Sequence, residues 1–262
     1  MKLFLAQLGV ARVVGEVYGV VSTGGSGTTL IATNQPSVTD DFFNSGTMFF
    51  RSGANLEKTS IITDYANTGR VFTVSPPAAV VGGVLYTACR LQYTRGDLVA
   101  AVNQALTECG LMTMTDESLL VQDASEEYTL PAGVRNVVKV QVALANAAPY
   151  KWKDYHYWAE HQGNLTFHPD AFPSGTGYKL RIYYNAPHPA VDLDADTIND
   201  YIWPERVIWT AAYYALYARH RKVGGDDKQL KDQVATAAAR MGEMAARFPT
   251  RTMSRPIVMS KW

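Results

Sequence analysis

Residues 203–248 read WPERVIWTAAYYALYARHRKVGGDDKQLKDQVATAAARMGEMAARF. This stretch predicts the secondary structure of the C-terminal part of the chain. Pro204 stands where a helix can begin, because the first helical turn leaves its backbone N–H groups unpaired in any case. Gly224-Gly225 interrupts the pattern, and Asp226 and Asp227 then favour the N-terminus of a second helix. From Leu230 to Phe248 apolar residues recur at spacings of 4, 3, 4, 3 and 4, a heptad-like seam. The stretch therefore predicts an antiparallel helix hairpin.

Two more helices are predicted closer to the N-terminus. Apolar residues near helical spacing predict a first helix over residues 3–14. The second begins at Thr94-Arg95-Gly96-Asp97, which has the pattern of a capping box with Asp in the Glu position. Its apolar stripe runs to Cys109, and Gly110 supplies the stop.

The remaining sequence has the pattern of β-structure. Residues 16–89 are rich in Val, Thr, Tyr, Phe and Gly, with regular turn signals, and predict a small antiparallel barrel or sandwich of about six strands. Residues 118–196 predict a second antiparallel sheet, because apolar and polar residues alternate in segments such as 178–184. The predicted fold class is α+β. It has a helical core (N-terminal helix 1–15, central helix 90–117, hairpin 197–248), an inserted small β-barrel (16–89), an antiparallel β region (118–196) and an extended tail (249–262).

Composition excludes several classes of protein. The chain has 262 residues, 47% hydrophobic and 18% charged, with 24 basic and 24 acidic side chains. These values exclude a disordered chain and a wholly electrostatic nucleic-acid binder, and no run of about 18 apolar residues predicts a transmembrane helix. Two cysteines, Cys89 and Cys109, are too few for a disulfide scaffold and are expected to be small buried hydrophobes. The apolar start at residues 1–6 is too short for a signal peptide, and synthesis in the cytoplasm is expected.

The zero net charge hides an asymmetry along the chain. Residues 1–200 carry 13 basic and 19 acidic side chains, whereas residues 201–262 carry 11 basic and 5 acidic ones. The two parts therefore have net charges of −6 and +6. This polarity suits a subunit that stacks or assembles through opposed faces.

Three motifs invite a chemical interpretation. A phosphate loop at residues 24–27 lacks the Lys-Ser/Thr and the following helix, so a hairpin tip is expected. The order His156-Tyr-Trp-Ala-Glu160-His161 departs by one residue from zinc-protease spacing and also fits an aromatic cluster. Asp192, Asp194 and Asp196 alternate as in a calcium loop, but Thr197 and Trp203 stand where that loop needs Gly and Glu, which favours a solvated linker. No catalytic, cofactor or metal site is predicted.

The C-terminal tail mixes basic and apolar side chains. Such a segment is unfavourable in water and is predicted to dock on another chain, the alternative being that it packs on its own domain. The residues expected to make this contact are Arg251, Arg255, Pro256, Ile257, Val258, Met259 and Trp262.

Residues 39–76, TDDFFNSGTMFFRSGANLEKTSIITDYANTGRVFTVSP, resemble a small β-module that recurs in virion proteins of tailed bacteriophages. The marks of the resemblance are Asp41-Phe42-Phe43-Asn44 before Gly46, then Ser52-Gly53-Ala54-Asn55, an Ile-Thr-Asp-Tyr strand, and Thr68-Gly69 before a Val-rich strand. The helix from Asp97-Leu98 to Leu106 resembles the first core helix of phage head–tail adaptor proteins. The helix beginning at Trp203-Pro204-Glu205 and its partner resemble their closing hairpin.

This resemblance implies a head–tail adaptor, or connector, in the neck of a tailed phage. Such a protein has a helical adaptor core and forms a ring, usually a dodecamer, that joins the portal to the tail around the genome channel. The implied partners are other copies of the chain, the portal protein, the next tail or nozzle protein and transient genomic DNA, without a membrane. The resemblance implies no catalytic residue and no cofactor, and it places the protein in the virion.

The same resemblance assigns roles to the C-terminal residues. The tail would dock on the portal. Arg219, Arg221 and Lys222 are candidates for contact with DNA in the lumen or with a neighbouring subunit, and the sequence leaves both alternatives open. Two other functions stay open. A virion glycan-binding or decoration β-module would stack sugars on aromatic residues, and a metallohydrolase would use His156, Glu160 and His161. The aromatic residues in question are Trp152, Tyr155, Tyr157 and Trp158.

Overall fold

The structure is a computed structural model that describes residues 1–15, 17–20, 23–24, 28–32, 38–75, 82–90, 93–122, 127–145, 148–168, 177–223, 227–250 and 252. Within these ranges the chain forms four helices and fourteen strands. The helices are α1 (Leu3–Val14), α2 (Arg95–Glu108), α3 (Pro204–Val223) and α4 (Lys228–Arg247). The strands are β1 (Val17–Val20), β2 (Thr23–Gly24), β3 (Thr29–Ile31), β4 (Thr47–Phe50), β5 (Thr59–Ala66), β6 (Val71–Ser75), β7 (Leu85–Ala88), β8 (Leu111–Asp116), β9 (Glu127–Thr129), β10 (Asn136–Ala143), β11 (Trp152–Tyr155), β12 (Trp158–His161), β13 (Asn164–Phe167) and β14 (Leu180–Pro187).

The strands form three antiparallel sheets. The largest has seven strands in the order β1-β7-β4-β5-β6-β3-β2. A four-stranded sheet has the order β11-β10-β14-β8, and a three-stranded sheet has the order β12-β13-β9. The described residues divide into two compact units, one made of those within 1–108 and 189–249 and the other of those within 109–188 together with residues 250 and 252. The first unit therefore holds all four helices and the seven-stranded sheet.

The N-terminal end of α2 confirms the predicted capping box. The Thr94 hydroxyl donates to the Asp97 carboxylate at 2.8 Å, and the Asp97 backbone N–H donates to the Thr94 hydroxyl oxygen at 3.2 Å. The Thr94 N–H also donates to Asp97 at 3.3 Å. Asp thus completes the reciprocal arrangement that Glu usually makes, and α2 begins where the pattern placed it.

Helix α4 also begins and faces inward as its sequence predicts. The Asp227 carboxylate accepts a hydrogen bond from the Leu230 N–H at 3.0 Å, which caps the helix. The alternate seam positions Leu230, Ala237 and Met244 are buried. The helix packs against α3, which in turn contacts α1 and α2. The heptad-like spacing therefore identified the buried face.

Helix α1 spans the predicted residues, and its glycine has a packing role. A Cβ atom on Gly9 would lie 2.5 Å from Cδ1 of Ile208 in α3. Glycine therefore permits α1 and α3 to approach closely, although it lowers helix propensity at that position.

The segment 39–75 folds into the turn, strands and hairpins at the centre of the seven-stranded sheet. Phe43, from the turn before β4, contacts Tyr65 and Phe72 at ring-centroid distances of 5.0 and 5.2 Å. Tyr65 and Phe72 are 4.7 Å apart, and all three rings are buried. These rings form the aromatic centre of the sheet's core, which explains why the segment is rich in Phe and Tyr.

The predicted fold class, a helical adaptor core with a small inserted β-barrel, is wrong. Strands are as prominent as helices, and the three antiparallel sheets replace the barrel and the single second sheet. In the seven-stranded sheet β1 and β2, which are consecutive in the chain, occupy the two ends of the strand order. Short apolar runs indicate strands but do not identify their partners, because pairing joins segments distant in sequence.

The predicted segments differ from the observed ones in two further respects. Residues 111–116, assigned to the segment of the central helix, form β8, which pairs with β14. Helix α3 packs on α1 and α2 as well as on α4, so a two-helix hairpin does not describe it. The Gly224-Gly225 turn and the loop at 25–27 lie outside the described residues.

The close approach at Gly46 gives a prediction about stability. A Cβ atom there would lie 1.9 Å from the Cys89 carbonyl oxygen, so Gly46→Ala should lower the free energy of unfolding by about 2–3 kcal/mol. Gly242→Ala, in the exposed interior of α4 with no atom within 4 Å of the added Cβ, should raise it by about 0.5–1 kcal/mol. Urea unfolding of the two variants measures both changes. Equal effects of the two substitutions would contradict the packing assigned to Gly46.

Candidate assembly surfaces

The segment that leads into α3 joins three parts of the first unit. We call residues 191–203 the acidic segment, because it carries four Asp and no basic residue. The Asp194 carboxylate accepts hydrogen bonds from the Thr59 N–H at 3.0 Å, the Thr59 hydroxyl at 2.7 Å and the Arg95 Nε at 3.3 Å. One side chain thus connects the start of β5 with the start of α2.

The backbone of the acidic segment makes further connections. Leu3 and Phe4, at the start of α1, donate their N–H groups to the carbonyl oxygens of Asp196 and Asp194 at 2.8 and 3.2 Å. The side chain of Asn103 in α2 both donates to and accepts from the backbone of Val191, each at 2.9 Å. The acidic segment therefore links α1, α2 and β5 through hydrogen bonds. The alternating Asp residues in the sequence did not predict this linking role.

The carboxylates considered for a calcium loop contact hydrogen-bond donors and cations of the same chain. The Asp196 carboxylate accepts from the backbone N–H groups of Asp192 and Leu193 at 2.8 and 2.9 Å. These two hydrogen bonds lower the pKa of Asp196 below its usual value, because they stabilise the ionised form. Asp192 lies 3.6 Å from the Arg95 guanidinium. In the described part of the chain, no three His, Cys, Asp or Glu side chains cluster as metal ligands would.

The His156–His161 motif does not adopt the helical geometry of a zinc protease. Glu160 and His161 lie on strand β12, where successive side chains point to opposite faces. The Glu160 carboxylate accepts a hydrogen bond from the Val137 N–H at 2.8 Å. The spacing that brings two histidines together on a helix therefore has no counterpart in this strand.

The four aromatic residues considered for sugar stacking do not share one exposed surface. Trp158 is buried, and Tyr155 packs against the core residue Phe167 at 5.4 Å between ring centroids. Burial raises the pKa of the Tyr155 hydroxyl. The Arg181 guanidinium covers the ring of Trp152 at 3.9 Å, and of the four side chains Tyr157 is the most exposed.

The three cationic residues near the end of α3 have different surroundings. The Arg219 guanidinium donates to the Tyr93 hydroxyl at 3.3 Å and is only partly exposed. Lys222 lies 3.6 Å from the Asp97 carboxylate, and Arg221 is exposed. The tail residues Arg251, Arg255, Pro256, Ile257, Val258, Met259 and Trp262 lie outside the described residues.

An open cleft in the first unit is lined by α1, α3 and α4. It has a volume of about 830 Å³. Trp209, Leu216 and Ala237 supply its apolar lining, and Arg12, Val13, Lys228, Gln229, Asp232, Gln233 and Thr236 complete it. Sequence periodicity could not show that three helices leave a gap beside Trp209.

The acidic segment also presents apolar side chains to solvent. Leu193 is 64% exposed, Tyr201 56% and Trp203 47%. The Trp203 ring stacks on Phe248 just beyond α4, with 4.7 Å between centroids. Exposed apolar side chains grouped in one short segment are a common mark of an interaction surface.

None of the helices in the described ranges is both long and apolar enough to cross a membrane.

Removing the Asp194 carboxylate should destabilise the first unit. Asp194→Ala leaves the Thr59 N–H and hydroxyl without their acceptor, so the free energy of unfolding should fall by about 1–3 kcal/mol. Asp64→Ala removes an exposed carboxylate from β5, the strand that begins at Thr59, and should have little effect on the free energy of unfolding. Thermal and urea unfolding distinguish the two. A similar loss in both variants would rule out the linking role of Asp194.

The lowered pKa of Asp196 predicts acid sensitivity. Because the folded-state pKa lies below that of the unfolded chain, the stabilisation is present above the unfolded value and is lost as pH falls through the folded one. Asp196→Asn should therefore be less stable than the parent at pH 7 and should lose less stability on acidification. Melting temperatures between about pH 7 and pH 3 measure the difference. Parallel pH profiles would contradict the prediction.

No protein-family model matches the chain, and a comparison with curated proteins finds no match.

Proposed function

We propose that this chain is a structural protein of a tailed-bacteriophage virion, a subunit of the head–tail adaptor ring that joins the portal to the tail around the genome channel. In this proposal the chain is not an enzyme. It assembles with other copies of itself, as a dodecamer, and contacts the portal protein, the next tail or nozzle protein and, transiently, the passing DNA.

The observation that carries the proposal lies in residues 39–75, where the residues that resemble the phage virion module have identifiable structural roles. Phe43 supplies a buried ring, and Gly46 has no room for a side chain. Gly53 and Gly69 both have φ of +79°, a conformation that favours glycine and that turns the chain between strands. The residues that carry the resemblance therefore have connected structural roles in one part of the sheet.

The distribution of charge gives the proposal additional support. Helices α1, α3 and α4 carry nine basic and three acidic side chains, whereas the acidic segment carries four acidic ones and no basic one. A ring needs two different, complementary faces on each subunit. Oppositely charged regions within one unit are suited to that requirement.

The aromatic residues Trp152, Tyr155, Tyr157 and Trp158 do not form a shared exposed surface, so glycan binding gains no support from them. The adaptor is therefore the single function proposed.

The proposal predicts a ring that stacks on the portal. The full chain should assemble into a particle of ring mass, measured by native mass spectrometry. Mixed with portal rings of the same phage, it should give stacked rings by electron microscopy. A full chain that neither assembles nor stacks on the portal would refute the adaptor function.

A tail variant tests the portal contact separately. A chain ending at Pro249 should still form the ring and should lose stacking on the portal. Replacing Ile257, Val258 and Trp262 by Ser keeps the tail's length and charge and should weaken stacking, because the apolar contact is removed. Normal stacking by the truncated chain would refute the tail's role while leaving the ring intact.

A further inference from the structure

We propose that the cleft between α1, α3 and α4 receives the acidic segment of a neighbouring copy of the chain, so that these two surfaces form the contact from which the ring is built. The inference rests on the proposed function and adds the location of the contact between subunits.

The two surfaces lie at opposite ends of the helical layer. The acidic segment is hydrogen-bonded to the first residues of α1, whereas Arg12 and Val13, at the other end of that helix, line the cleft. Ten residues of helix separate Leu3 from Val13, which corresponds to about 15 Å.

Helix α4 gives the same separation. Six residues of α4, the first Lys228 and the last Ala237, line the cleft, whereas Phe248 stacks on Trp203 beyond the far end of the helix. Ten residues lie between Ala237 and Phe248, and the eleven steps correspond to about 16 Å of helix. Along α1 and α4 the acidic segment is therefore separated from the cleft of its own chain, so the two surfaces can contact different copies. On α3 the separation is shorter, since Trp209 lies six residues, about 9 Å of helix, beyond Trp203.

The surfaces are complementary in chemistry. Of the apolar side chains that line the cleft, Trp209 and Val13 are half-buried and keep accessible surface, and the acidic segment offers Leu193 and Tyr201, both more than half exposed. Contact between these groups would remove apolar surface from water on both sides.

Charge is complementary as well. The cleft has Arg12 and Lys228 against one acidic residue, Asp232, and it belongs to three helices with a net charge of +6. The acidic segment carries four acidic side chains, of which Asp192 and Asp200 are 83% and 95% exposed, although the Arg95 guanidinium and the N-terminal ammonium group lie 3.6 and 3.3 Å from them. Opposite potentials steer the two surfaces together and oppose the contact of like surfaces.

A contact between two different surfaces is head-to-tail, so each copy keeps one cleft and one acidic segment free for the next. Such contacts generate closed rings where the rotation between copies closes, and filaments where it does not. This geometry distinguishes the inference from a two-fold dimer, in which a surface would meet its own copy.

The test uses two variants of the full chain that leave the fold intact. Lys228→Glu with Gln229→Glu alters exposed residues of the cleft, and acidic residues in the first turn of α4 favour the helix. Leu193→Ser with Tyr201→Ser alters exposed residues of the acidic segment. Each variant should keep the parent's circular dichroism and melting temperature, and each should weaken assembly at least about tenfold in a concentration series measured by mass photometry.

Mixing the variants tests the head-to-tail geometry. The cleft of the Leu193/Tyr201 variant and the acidic segment of the Lys228/Gln229 variant are intact, so the mixture should give heterodimers and no larger species. Lys231→Glu, on the same helix but outside the cleft, is the matched control and should assemble like the parent.

The outcomes separate this inference from the proposed function. Rings formed normally by both variants, or lost equally in Lys231→Glu, would overturn the cleft contact and leave the adaptor function standing. Assembly that depends on the cleft but gives particles unable to stack on the portal would support the contact and refute the adaptor function. A parent chain that stays monomeric at every concentration would overturn both.

Discussion

The hydrogen bonds to the Asp194 carboxylate hold the separate segments of the first unit together. This carboxylate accepts hydrogen bonds from both polar groups of Thr59 and from Arg95, and so fixes the start of β5 relative to the start of α2. The backbone around it accepts hydrogen bonds from the start of α1. Charged hydrogen bonds of this kind are stronger than neutral ones, and a single group that satisfies several partners couples their positions.

This arrangement explains how residues far apart in sequence share one unit. Residues 1–108 and 189–249 are separated in sequence by residues 109–188, and the acidic segment is the part of the chain that returns to the helices. Its hydrogen bonds to α1, α2 and β5 hold that returning chain in place. Leu193 and Tyr201 of the same segment are exposed to solvent. The segment that links these elements therefore also carries the surface proposed for contact between subunits.

Helix boundaries and buried helix faces could be predicted closely from the sequence. The Thr94–Asp97 capping box, the Asp227 cap and the heptad-like seam of α4 act between residues within one or two helical turns, and such local interactions are readable from spacing. The arrangement of the strands could not be predicted in the same way. Segments that predicted a small barrel form a seven-stranded sheet whose strand order does not follow the chain, because each strand's partner is set by packing over long distances in the chain.

The candidate surfaces show the same division. By itself, the sequence determined the charge asymmetry and the apolar seam, because both depend only on residue type and spacing. Tertiary structure alone decided that Asp194 and Asp196 would be engaged by the protein's own N–H groups and side chains. It also decided that α1, α3 and α4 would leave a cleft beside Trp209, because a gap between helices is a property of their crossing and not of any one helix.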